Sequence, residues 1–229
     1  MKTLARTSVQ FIIGGIFGFL AVSMMFWGFS FDLAEYTNVI VISLYVLIGI
    51  CLLLTMILFQ QMKTLNAKNV EGEEEDEIDI IKYRKVADQS LLIYLSFTLA
   101  ILSSAIVLIM SLPLAYIIIS IILIIISSSF MTYMIDLVRK SYPERNMPKL
   151  SDPDYGKKLL EAADDGEKHV MLMGFYKAYN LLPTLLIIAI TLSVIYSILT
   201  GQNQLFSIVG MSVVLLIVQG SYVLTIRKK

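Results

Sequence analysis

Few side chains in this sequence could do covalent chemistry, and they stand far apart. His169 is the sole histidine and Cys51 the sole cysteine. One of each cannot supply the three or four nitrogen and sulfur ligands of a zinc site, and a lone histidine cannot complete an HExxH pair. Ser127-Ser128-Ser129 would need an adjacent base to act as a nucleophile, but its flanks are Ile126 and Phe130. No glycine-rich phosphate loop is present. Cys51 lies in an apolar run, where a single thiol forms no internal disulfide and reads as a small packing residue. These residues predict a protein that is not an enzyme and carries no cofactor and no metal.

The carboxylates gather instead. Glu71, Glu73, Glu74, Glu75, Asp76, Glu77 and Asp79 form an acidic run. Adjacent like charges repel, and the spaced ligands and glycine turn of a calcium loop are missing. A solvated spacer is the expected reading, with a docking site for a basic partner as the sharper one. Asp32 and Glu35 are expected to keep a short loop in water. Asp88 is expected to cap a helix and Asp136 to pair with Arg139. Lys157, Lys158, Glu161, Asp164, Asp165 and Lys168 form a mixed-charge set, the candidate partner-binding surface.

The elements that hold these residues are membrane helices. Hydrophobic residues make up 57% of the chain and charged ones 16%, against about 25% charged in soluble domains. Net charge is zero, from 18 basic and 18 acidic residues, and gives no ground for direct nucleic-acid binding. Spans of about 20 apolar residues are predicted near Val9–Ser30, Asn38–Gln60, Ser90–Leu112, Leu114–Ile135, Leu181–Leu199 and Leu205–Ile226. Helix is required because an open strand in lipid leaves backbone groups unpaired. Pro113 separates the third and fourth spans by a tight reversal. The first span continues past Ala21-Val22-Ser23 through Trp27, which favours a retained helix over a cleaved leader.

Direction follows from the cations. All 18 lysines and arginines fall before the first span, between the second and third, between the fourth and fifth, or after the sixth. Six alternating crossings put every one on the cytoplasmic face, with both termini. The fold expectation is an all-α polytopic bundle, a single membrane domain over 1–229. It has an acidic cytoplasmic loop at 61–89 and a second cytoplasmic loop at 138–180. No charged residue falls inside a predicted span, which counts against a carrier with a mid-membrane carboxylate. Gly14 and Gly18 have the spacing that lets helices approach closely, within one chain or in a homo-oligomer. Pro183 would stiffen or kink the fifth span.

Within the second loop, Asp152 is expected to cap a helix beginning at Pro153. Beyond it Tyr155, Leu159, Ala162, Ala163, Gly166, Val170 and Met173 recur at three- and four-residue spacing. That predicts one amphipathic helix before the fifth span, lying on the inner surface or against the bundle. From Ile78 to Ala87 the composition suggests a short helix leading into the third span.

The run Asp152-Pro153, Lys157-Lys158, Glu161-Ala162-Ala163-Asp164-Asp165-Gly166-Glu167-Lys168 and Tyr176-Lys177-Ala178-Tyr179 resembles the second cytoplasmic loop of an uncharacterised family of small six-span membrane proteins from Gram-positive bacteria. The resemblance covers nearly the whole chain and implies a plasma-membrane location. It also implies a regulatory or peptide-response role, because genes of that family neighbour a small helix-turn-helix regulator. The functional expectation is a regulatory, sensory or peptide-immunity membrane protein. It would hold a cytoplasmic partner, such as a small DNA-binding regulator, through its loops. The alternative is a small permease or the membrane subunit of a transporter.

Overall fold

The computed structural model describes residues 33–67, 73–142 and 147–227, and within them every regular element is helical. The helices are α1 (Leu33–Asn66), α2 (Glu73–Ile109), α3 (Leu114–Ser141), α4 (Tyr155–Ala162), α5 (Asp165–Thr200) and α6 (Leu205–Arg227). All but α4 are long and apolar enough to cross a bilayer. The span expected at Val9–Ser30 lies outside the described residues, as do Gly14, Gly18 and Asp32. The chain divides into two compact units, one holding α1 to α4 and the other α5 and α6.

In the first unit α1, α2 and α3 pack side by side in an up-down-up order. Their buried residues recur every seven positions. On α1 these are Val41, Ile48, Thr55 and Met62, all wholly buried. On α2, Gln89, Ser96 and Ser103 alternate with Ile93, Ala100 and Val107. On α3 they are Ser120, Ser127 and Met134. A seven-residue repeat keeps one seam facing the partner helices when helices coil left-handed about each other. Serine and alanine on the seam of α2 and α3 let the backbones come close, and many further isoleucines and leucines face outward.

Hydroxyls fix the register. Ser103 Oγ lies 3.3 Å from Ser120 Oγ, and Tyr45 Oη lies 2.8 Å from the same Ser120 oxygen while donating to the Tyr116 carbonyl at 2.7 Å. One heptad away along the antiparallel pair, Ser96 and Ser127 come level. One further heptad brings Gln89 level with Met134, and there Ser90 donates to Met134 Sδ at 3.3 Å. Apolar layers separate these polar ones: Ile48, Leu52 and Ala100 form one, and Phe59, Ile93, Met134 and Leu137 another.

The reversal expected at Pro113 is present, and its geometry is specific. Leu112 N–H donates to the Val107 carbonyl at 3.0 Å and Ser111 N–H to Leu108 at 3.3 Å. This pair of bonds is a Schellman end. It needs a left-handed residue, and Ser111 supplies it at φ 52°. Pro113 then starts α3, where no N–H is required. In the second unit α5 and α6 are joined through Gly201–Gln204, with Gly201 at φ 68° and Asn203 Oδ1 accepting the Leu205 N–H at 2.8 Å. At the far end the Tyr179 and Tyr222 rings lie 4.7 Å apart. Pro183 leaves α5 helical throughout.

Several expectations change. The acidic run is helical from Glu73 onward, as the opening turns of α2 rather than a spacer. Carboxylates there meet the positive end of the helix dipole, which offsets part of their mutual repulsion. The short helix expected at Ile78–Ala87 is continuous with the span that follows. Asp88 consequently lies inside α2 and caps nothing.

The Schellman end yields a stability prediction. A non-glycine residue in the left-handed region costs roughly 1 kcal/mol. Ser111→Gly should therefore raise the unfolding midpoint in detergent, and Ser111→Val should lower it, as followed by thermal scanning of the purified protein.

Candidate interaction surface at the charged end

The lysines and arginines of α1, α2 and α3 gather at one end of the three helices, with most of their carboxylates. Lys63 closes α1, and its ammonium sits 5.5 Å from the centre of the Tyr133 ring. Lys82 of α2 pairs with Asp79 at 3.2 Å and lies over the Tyr142 ring at 5.8 Å. Lys85 Nζ donates to Gln61 Oε1 at 2.5 Å, and Asn66 Nδ2 to Ser141 Oγ at 2.6 Å. Arg139 and Asp136 form the expected pair at 3.5 Å. These contacts tie α1, α2 and α3 together where they leave the apolar zone. Exposed pairs of this kind add little stability singly, so their main effect is to hold the helix ends in place.

Beyond that collar α2 runs on. Its 37 residues exceed what one crossing needs, and the excess, ~17 residues or roughly 25 Å, leads from Glu73 to Gln89. Ile78 in this extension is buried, whereas Ile80, Ile81 and Tyr83 are exposed. Charge is graded along it, with carboxylates at the tip and Lys82, Arg84 and Lys85 next to the collar.

The segment leading into α4 departs from its expected cap. Asp152 does not open a helix at Pro153. Its Oδ2 accepts the Lys149 N–H at 2.8 Å while its own N–H donates to the Lys149 carbonyl at 2.9 Å, closing a turn. Asp154 then takes a left-handed conformation at φ 60°, and α4 begins at Tyr155. The amphipathic stripe is also split. The helix ends at Ala162, with Ala163 extended, and α5 begins at Asp165.

On α4, Tyr155 and Leu159 are half-buried, while Lys157, Lys158 and Glu161 are exposed. Lys157 and Glu161 pair at 3.9 Å across one turn. Asp164 is exposed and closes the first unit; Asp165 and Lys168 open the second, paired at 3.6 Å. The six candidate residues thus fall on two helices and, for Asp164, on the link between them, four in one unit and two in the other. Beyond them α5 carries Val170, Leu172, Met173, Phe175 and Tyr176, all exposed within their own unit.

The single histidine, His169, is exposed on α5, and Cys51 is buried in α1. Ser128 and Ser129 give their hydroxyls to carbonyls one turn back, at 2.8 Å each. Ser127 faces the seam, wholly buried. Among the described residues no three His, Cys, Asp or Glu side chains gather as a metal site. Ser103 and Ser127 carry small side chains suited to packing between helices; the seam residues that sequence reasoning missed are Tyr45, Gln89, Ser96 and Ser120. Their seven-residue recurrence on α2 and α3 was the available signal.

Tyr155 links α4 to the bundle. Burial raises its phenol above its ordinary value, and the nearby Tyr94 of α2 raises it further. The neutral phenol is the form favoured in the folded protein, so the unfolded state loses this proton first. This contact should therefore be indifferent to pH below about 10 and weaken as pH rises above it. Absorbance titration near 295 nm should show one tyrosine ionising late, and Tyr155→Phe should remove that late component without loosening α4.

The comparison with known families adds one result. No curated protein and no solved structure matches the chain. A family model described as "Protein of unknown function (DUF3169)" matches residues 2–225, nearly the whole length, and the chain therefore belongs to the DUF3169 family.

Proposed function

We propose that this chain is a non-enzymatic regulatory membrane protein of the plasma membrane that holds a cytoplasmic protein partner at its charged end. The observation that carries this reading is how the polar groups are divided. The wholly buried polar groups in the apolar zone of the first unit are enclosed among three helices. Ser96, Ser103, Ser120 and Ser127 are wholly buried, and Ser120 bonds both Ser103 and Tyr45. Layers of Ile48, Leu52 and Ala100, and of Phe59 and Ile93, interrupt the polar ones. A continuous polar path through that unit, which a permease would need, gains no support from such layering. Exposed charge is found at Glu74 and Glu77 near the tip of α2, at Lys157, Lys158 and Glu161 of α4, and at Asp165 of α5.

In this reading the cations mark the cytoplasmic side and both termini lie there. The α2 extension is a helix fixed at its base by the collar and continuous with the membrane-embedded seam. A change in packing between α1, α2 and α3 would shift the carboxylates at its tip. The partner is a protein with a basic patch for that tip and an acidic patch for Lys157 and Lys158 of α4. A small DNA-binding regulator meets the description. A peptide-response or immunity role uses the same parts, with a peptide in the membrane as the signal.

Amine-reactive crosslinking in native membranes, followed by mild detergent purification and mass spectrometry, tests this. A basic cytoplasmic protein joined through Lys157, Lys158 or Lys168 is the expected product. Lys157→Glu with Lys158→Glu should cut its recovery by about tenfold, the equivalent of 1.4 kcal/mol. Recovery of an ATPase subunit, or of this chain alone, would contradict the reading.

A further inference from the structure

Gln89 is wholly buried on the seam of α2, and neither its Nε2 nor its Oε1 has a protein partner. Its surroundings explain why. The register set by Ser103 and Ser120 brings Met134 level with it, and the Ser90 bond to Met134 Sδ at 3.3 Å places that thioether there directly. Met62, also wholly buried, packs in one cluster with Met134, Ile93 and Phe59. Thioether sulfur is a weak acceptor and donates nothing. A carboxamide offers two N–H donors and a carbonyl acceptor, so these neighbours cannot satisfy it. A second unpartnered acceptor, Asn66 Oδ1, sits one turn beyond Met62 on α1.

Buried amides left dry are strongly disfavoured, and a serine or leucine at this position would avoid the cost. The missing partner must be able both to donate and to accept. It is uncharged in this reading, because the buried residues at this level, Phe59, Met62 and Met134, are apolar. It must also be small, because nothing of Gln89 reaches the surface. Lipid headgroups and peptides fail the last condition, and metal cations the second.

We propose that Gln89 holds an internal water molecule at the charged end of the α1–α3 seam, between Met62 and Met134. Buried waters of this kind typically make about three hydrogen bonds; the two amide atoms provide two of them, with methionine sulfur beside them as a weak acceptor. The layer lies at the base of the α2 extension. The site itself does not depend on what that extension binds.

Methionine sulfur is highly reactive toward hydroxyl radical, which makes the two thioethers built-in reporters. The full chain in detergent would be exposed to a brief X-ray pulse in ¹⁸O-labelled water, with a scavenger to quench radicals in bulk, and its peptides weighed. A bound water is converted to radical in place. Met62 should take up ¹⁸O despite its burial, and uptake should fall at least about threefold in Gln89→Leu. Gln89→Met, closer in shape, gives the same comparison if the leucine variant does not fold. Ile48 and Leu52, in a layer without polar groups, should stay unlabelled in all three proteins. Unlabelled Met62 in the native chain, or equal labelling with and without Gln89, would overturn the proposal.

Discussion

The contact between Ser103 and Ser120, with Tyr45 on the same oxygen, sets the register from which the rest of the first unit follows. In an apolar solvent, helices gain little by hiding apolar surface from one another, since lipid is as apolar as leucine. Close approach of backbones and pairing of hydroxyls must do the sorting. A slip by one residue would turn the serines of α2 toward lipid and set isoleucine or leucine against α3. Seven-residue spacing on three helices makes each layer repeat that constraint, and the Schellman turn at Ser111 holds the two antiparallel helices α2 and α3 at a fixed offset.

That register also carries the charged end. Because α2 is continuous from the seam to Glu73, the position of the carboxylates is set by packing in the apolar zone. Lys85 to Gln61, Asn66 to Ser141 and Lys82 over Tyr142 then brace the point where the helices emerge. The unit is therefore stiff from its turn to its collar, and α4 is attached at its rim through Tyr155. Gln89 and Ser127, both buried on the seam, carry side-chain atoms without a protein partner.

Much of this was legible in the sequence and some was not. Hydropathy located the five spans from the second predicted crossing onward, and Pro113 located the reversal, because both rest on strong local chemistry. The heptads were hidden for the opposite reason. Lipid-facing and seam-facing residues are both apolar, so isoleucine and leucine give no contrast, and only the recurrence of Ser96, Ser103, Ser120 and Ser127 betrays the inner face. Helix ends were misjudged where tertiary context decides. The acidic run was read as repelling and unstructured, yet the dipole and the buried Ile78 support a helix there. Asp152 was read as a cap, yet it closes its own turn with Lys149. The six charged candidates were placed correctly on exposed helix surface for the most part, but the break after Ala162 divides a stripe that periodicity alone made continuous.

The most direct test of the seam is a pair of cysteines at its fixed point. With Cys51 replaced by alanine, Ser103→Cys and Ser120→Cys should form a disulfide within one chain under a membrane-permeant oxidant, since the two oxygens they replace lie 3.3 Å apart. Ser104→Cys with Ser120→Cys, one residue off the seam, should not. Rapid intramolecular closure of the first pair alone is the result this account requires. Failure of that pair to close, or equal closure of both pairs, would contradict the register and everything built on it.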